Sequence, residues 1–239
     1  MKKSTMMMAI ALAIGLGVSA KADDRPWKWS PIGIGLAAPI QLPYVESDVY
    51  GLRLGGFFGY NHDMYGLDLG LAEVASAGFR GLQLSALSWT EGTVYGAQLG
   101  VLANVVNGSA FAGQLGFANV VWEDATGLQL GLVNYTTDFC GVQFGGIVNW
   151  NNLASYGIEF GLINANQAEF SGLAFGGLFN YTDSFTGCGI GLVNIAYDVK
   201  GFQLGLVNAC DHMQGVQIGL LNMICGSKLP LMVLANAWF

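Results

Sequence analysis

Four cysteines, two histidines and a few isolated charges are the side chains of this 239-residue sequence best placed to do chemistry. Cys140, Cys188, Cys210 and Cys225 make no CxxC pair, and His62 and His212 each fall in a turn-like stretch, so no zinc pattern results. Most carboxylates also lie in turns. Asp68 and Glu159 do not, but they stand far apart, which gives a paired acid–base site no support. Gly33-Ile34-Gly35 and Gly189-Ile190-Gly191 lack the Lys-Ser/Thr and the helix start of a phosphate loop. Asn107-Gly108-Ser109 and Asn180-Tyr181-Thr182 have the form of glycosylation sequons and are read as incidental. The expectation is a protein that is not an enzyme and holds no cofactor and no metal.

The elements that position these residues are repeats. Gly127-Leu128-Gln129-Leu130-Gly131-Leu132-Val133-Asn134 recurs as GIEFGLIN from Gly157, GFQLGLVN from Gly201 and GVQIGLLN from Gly215. Copies from Gly141 and Gly172 carry one extra Gly, and looser copies start at Gly51, Gly66, Gly81 and Gly96. The first motif positions are 51, 66, 81, 96, 112, 127, 141, 157, 172, 187, 201, 215 and 229, always 14 to 16 apart. A degenerate copy, Pro31 to Ala38, makes about fourteen units in one domain, 23–239, with no linker. Positions 2, 4 and 6 are mostly Leu, Ile or Phe, and positions 1, 3 and 5 mostly Gly, Gln and Gly. That is the period of a two-faced β-strand, and Asn, Asp, Thr and Ser between copies supply turns.

Position 3 is the informative slot, holding Arg53, Asp68, Gln83, Gln98, Gln114, Gln129, Gln143, Glu159, Ala174, Gly189, Gln203 and Gln217. A polar mid-strand residue in nearly every copy is expected to face water or a hydrated lumen, and the Leu face lipid or a core. Arg53 and Asp68, from consecutive units, are expected on adjacent strands, close enough to pair.

Lys2 and Lys3, the apolar run Met6 to Val18 and Ala20-Lys21-Ala22 form the three parts of a secretory signal, residues 1–22. Its removal takes three of nine basic residues and leaves six against 16 acids, a charge near −10 with no footprint for nucleic acid. Charged residues are 10% of the chain against about 25% in ordinary domains, apolar residues 53%, and glycines number 36. No later apolar run reaches the roughly 20 residues of a membrane helix. A dispersed apolar strand protein of this kind is either a membrane β-barrel or a β-solenoid.

The chain ends Leu229 to Phe239, with Phe239, Ala237, Ala235, Val233 and Leu231 non-polar at every second place. This resembles the last strand of outer-membrane β-barrels, and the resemblance implies that Phe239 is an assembly signal read by the barrel insertion machinery. The GxQxGLxN units resemble a bacterial surface-repeat family, largely uncharacterised, which implies a location and no activity. Aromatics flank several turns, as in Tyr60/Tyr65, Trp89/Tyr95, Tyr135/Phe139, Trp150/Tyr156 and Tyr181/Phe185, and fit two interfacial girdles. The expected fold is therefore all-β, an antiparallel transmembrane barrel of about 14 strands in outer-membrane lipid. Its function would be a porin-like or passive channel lined by Arg53, Asp68, the position-3 glutamines and Glu159, its solute unspecified. Uniformly short loops, a Leu band of three residues per strand and Asn at one fixed end of each unit favour the alternative, a surface-displayed parallel β-solenoid with ~15-residue rungs and a structural or adhesive role. Terminal sequencing of the exported chain should find Asp23 first.

Overall fold

The computed structural model describes residues 29–238 apart from Pro39 and Val45. The signal segment 1–22 and Phe239 lie outside the described residues. The chain forms β1 (Trp29–Ala37), β2 (Ile40–Leu42), β3 (Asp48–Leu69), β4 (Ala72–Thr90), β5 (Val94–Val106), β6 (Ala110–Leu115), β7 (Ala118–Val121), β8 (Asp124–Thr136), β9 (Asp138–Asn151), β10 (Ser155–Cys210), β11 (His212–Ile224) and β12 (Leu231–Trp238). They build one sheet in the order β12-β11-β10-β9-β8-β6-β5-β4-β3-β1-β2, with β7 bridging β5 and β8. The long β10 alone carries the copies from Gly157, Gly172, Gly187 and Gly201.

From β3 to β11, successive strands pair in parallel, one motif copy on the next. Gly127 sits over Gly141, Gln129 over Gln143 and Asn134 over Asn149; Gly201, Gln203 and Asn208 meet Gly215, Gln217 and Asn222. The molecule is thus a β-solenoid with rungs of about 15 residues and not the antiparallel barrel. The physical reason is the direct repeat itself. Parallel stacking sets each amide one strand spacing, about 4.8 Å, from an identical amide, whereas antiparallel pairing would carry the Asn of alternate copies to opposite ends.

Each rung bends at two recurrent places. The first motif glycine has positive φ, from 123° at Gly66 to 147° at Gly172. A Cβ on Gly157 would overlap the carbonyl oxygen of Gly141 one rung below, so backbone conformation and close approach both require glycine there. The second bend follows position 5, where the register slips between Gly131 and Val133 and again between Gly161 and Ile163.

Side chains then sort into inward and outward columns. Four columns point inward. One is apolar and runs from Val49, Met64 and Phe79 to Phe139, then Phe170, Phe185, Val199 and Met213. The second is the position-3 column. The third is an asparagine column, Asn104, Asn119, Asn134, Asn149, Asn164, Asn180, Asn194, Asn208 and Asn222, and the fourth is mixed, with Thr90, Val106, Thr136, Asn151, Asn166 and Ile224. The Leu positions 2, 4 and 6 point outward. Leu128 and Leu132 are 40% and 44% exposed.

The ends differ from the expected units. The degenerate copy is a true rung, with β1 parallel on β3 and Gly33 beside Arg53, and β2 folds back on β1. The copy expected at Leu229 is not a rung: β12 runs antiparallel to β11 and closes the stack. The expected girdle pairs also divide. Phe139 and Phe185 are core residues, whereas Tyr65 and Tyr95 lie outside and sandwich Arg80 at 5.2 and 5.1 Å.

Every amide of the Asn column from Asn104 to Asn208 donates to the next Asn Oδ1, at 2.8–2.9 Å. Asn134 Nδ2 also donates to the Phe144 carbonyl at 3.0 Å. Asn134→Ala therefore leaves the Phe144 carbonyl and the Asn149 Oδ1 without this donor, and should cost about 2–4 kcal/mol in chemical denaturation.

Candidate functional site

The residues expected to line a lumen instead fill the interior. Arg53, Asp68, Gln83, Gln98, Gln114, Gln129, Gln143, Glu159, Gln203 and Gln217 are all 3% exposed or less. Gln98 donates to Gln83 at 2.9 Å, Gln114 to Gln98 at 3.0 Å, Gln129 to Gln114 at 2.9 Å and Gln143 to Gln129 at 2.8 Å; Gln217 donates to Gln203 at 2.9 Å. A mid-strand amide needs hydrogen-bond partners, not water, and here the partner is the same residue one rung away. These side chains line no aqueous channel and have no access to a solute.

The column ends in charge. Gln83 donates to Asp68 Oδ2 at 2.8 Å, and Arg53 donates through Nε to Asp68 Oδ1 at 2.6 Å and through Nη2 to Oδ2. The pairing of Arg53 with Asp68, expected from consecutive units, is present. Arg53 also lies 2.9 Å from Glu73 Oε2 and donates to Asn61 at 2.8 Å. Glu73 occupies the Asn slot of its rung, inside Gly55, Gly59 and Gly70, where any Cβ would overlap its carboxylate. Burial pushes the Glu73 carboxyl upward, Arg53 opposes this, and Asp68 adds to it. Sequence reasoning missed Glu73, although GLDLGLAE from Gly66 already shows Glu in the place of Asn.

Glu159 interrupts the glutamines. It accepts from Asn151 at 2.8 Å and from Asn166 at 3.0 Å, and complete burial pushes its carboxyl up to about 7 against those two hydrogen bonds. The next two slots, Ala174 and Gly189, are filled from beside them by Phe170 and Phe185, stacked at 5.8 Å.

The cysteines are free. Cys225 N donates to the Cys210 carbonyl at 2.9 Å, but Cys210 is buried and Cys225 exposed, so stacking does not pair them. Burial pushes the Cys210 thiol up to about 12, a poor nucleophile. Asp48, His62 and Asp63 cluster on the surface and satisfy one another, with His62 Nδ1 and the Asp63 amide both on Asp48 Oδ1, at 2.9 and 3.2 Å.

With the polar columns sealed, contact with another molecule falls to the outward columns. Position 4 runs from Leu54, Leu69 and Leu84 through Phe144, Phe160 and Phe175 to Leu204 and Ile218, with Phe160 stacked between its neighbours at 4.6 and 4.8 Å. Position 6 runs parallel through Phe117, Leu132, Ile147, Leu162 and Leu178 to Leu220, all 44–57% exposed. Between the two lies a groove of about 770 Å³ that includes Leu99, Leu115 and Leu130 on one wall and Phe117, Leu132 and Leu162 on the other, with Gly116, Gly131 and Gly161 beneath. Glycine stands beneath because the asparagines lie behind it: a Cβ on Gly131 would press on Asn119 and Asn134 at 2.9 and 3.0 Å. This continuous apolar face far exceeds isolated surface leucines.

Compared with protein-family models, curated proteins and solved structures, the chain matches none of them. The likeness to bacterial surface repeats therefore rests on the motif.

Because the folded carboxyl of Glu159 titrates near 7 against an ordinary 4.5, the folded state holds the extra proton. Its contribution is most favourable below about pH 4.5, is lost as pH rises to about 7, and is flat above. Glu159→Gln should remove that loss, stabilising the protein at pH 8 by up to roughly 3 kcal/mol relative to the same comparison at pH 4, read from denaturation midpoints.

Proposed function

We propose that this chain is an exported structural β-solenoid of the bacterial cell surface, a rod that acts by docking its apolar face. The observation that carries this reading is the outward Leu/Ile/Phe columns, which run the length of a stack whose buried amides bond mainly to one another. A chain that needed apolar residues only for its own core would place them inside. Here amides hold the centre, and leucines are left to meet a partner. The signal segment and the surface-repeat motif support the location. Nothing in this reading calls for catalysis, a cofactor or a solute path, because the buried carboxylates and amides are bonded to each other.

Two measurements test it. Lys200 and Lys228 are exposed, so an impermeant amine reagent applied to intact cells should label them; labelling only after lysis would remove the surface assignment. Leu132→Glu should leave stability within about 1 kcal/mol of the parent, as for other surface changes, yet abolish the cross-linked complexes that the parent forms on intact cells. Complexes formed by Leu132→Glu at the parent level would overturn the docking role.

A further inference from the structure

The apolar face has a period, and the period specifies its partner. Outward residues recur at the rung spacing of about 4.8 Å in at least three adjacent columns, and among the described residues positions 2, 4 and 6 hold no Asp, Glu, Lys or Arg from Leu52 to Leu220. We propose that this face seats a second copy of the chain, the two rods packed face to face about a twofold axis. The inference rests on the docking role argued above and names its partner.

Three observations select a second copy. The first is commensurability. Ridges at position 6 and the groove between positions 4 and 6 share one repeat, so only a surface with the same repeat can fill the groove along its length, and a twofold axis makes the patch complementary to itself. The second is area. Twelve rungs, from Leu54 to Ile218 at position 4, span roughly 50 Å at strand spacing, and positions 2 to 6 cover at most roughly 14 Å of extended chain around the bend after position 5. The face is then at most about 700 Å² per partner, at the lower side of the range of stable protein interfaces. The third is charge. Among the described residues the cations are Arg53, which is buried, and the exposed Arg80, Lys200 and Lys228, while Asp48, Asp63, Asp124, Asp138 and Asp198 recur three residues before the first motif position, along one edge of the rod. Only Arg80 and Lys200 stand beside these five carboxylates; an edge with this excess of acid disfavours an anionic lipid surface and leaves an uncharged protein face as the fitting occupant.

The test uses the mature chain, residues 23–239, in detergent-free buffer. Size-exclusion chromatography with light scattering should give twice the chain mass. The double variant Leu132→Lys with Leu162→Lys should run as a monomer with an unchanged circular dichroism spectrum. Mixing it with Leu132→Glu plus Leu162→Glu should restore the twofold mass, which a lipid-binding face would not do. Should the charged pair fail to fold, Leu132→Ser with Leu162→Ser should weaken dimerisation at least tenfold. A monomeric parent overturns the proposal, and flotation of that monomer with neutral phosphatidylcholine vesicles would assign the face to lipid. Failure of surface labelling in cells would remove the location without touching this result.

Discussion

Side-chain amides that reach their own kind one rung away are the interaction on which this structure depends. A buried, unpaired amide costs on the order of 1–3 kcal/mol, so a polar core is tolerable only where every copy meets a partner. Parallel stacking meets that demand along the runs from Asn104 to Asn222 and from Gln83 to Gln143, where like residues stand one rung apart. The two amide columns also run in opposite senses. Each Asn donates toward the C-terminal end of the rod, and each Gln toward the N-terminal end. Their dipoles therefore oppose, and Asp68, an acceptor only, stands where the glutamine donors finish, with Arg53 to balance it.

Other features follow from keeping the amides close. Glycine at position 5 leaves room for the Asn carboxamide, and positive-φ glycine at position 1 lets one rung's backbone approach the carbonyl of the one below. With Gln and Asn inside, strand alternation sends the leucines out. The apolar exterior is thus the geometric counterpart of the polar interior, and one sequence pattern produces both the stack and its apolar face.

Much of this was legible in the repeat. Its period, its two-faced strands, the single repeat-built architecture and the Arg53–Asp68 pairing all follow from residue types at fixed spacing. The interior was read inside out, because a mid-strand glutamine satisfies the requirement for polar contact equally well with water or with another glutamine. Only the neighbour one rung away decides which, and that neighbour is set by parallel register, which alternation alone does not encode. The fixed Asn at position 8 did carry that information: like over like is possible in a solenoid and lost in an antiparallel barrel. Glu73 was obscured because it resembled a turn carboxylate once the Asn column was not seen as a column.

The core is not uniform along its length. Apolar inward side chains form one cluster from Val49 to Phe139 and another from Phe170 to Ile224. Between them the rung from Ser155 to Asn166 buries Ser155, Glu159, Asn164 and Asn166, with Ala165 its one buried apolar side chain. In a linear stack each rung is held only by its neighbours, so cohesion is the property of successive interfaces and the weakest one governs. That polar rung is a seam. It is joined to its neighbours by hydrogen bonds, from Asn149 to Asn164, Asn164 to Asn180 and Asn151 to Glu159, where the stretches on either side add hydrocarbon contact.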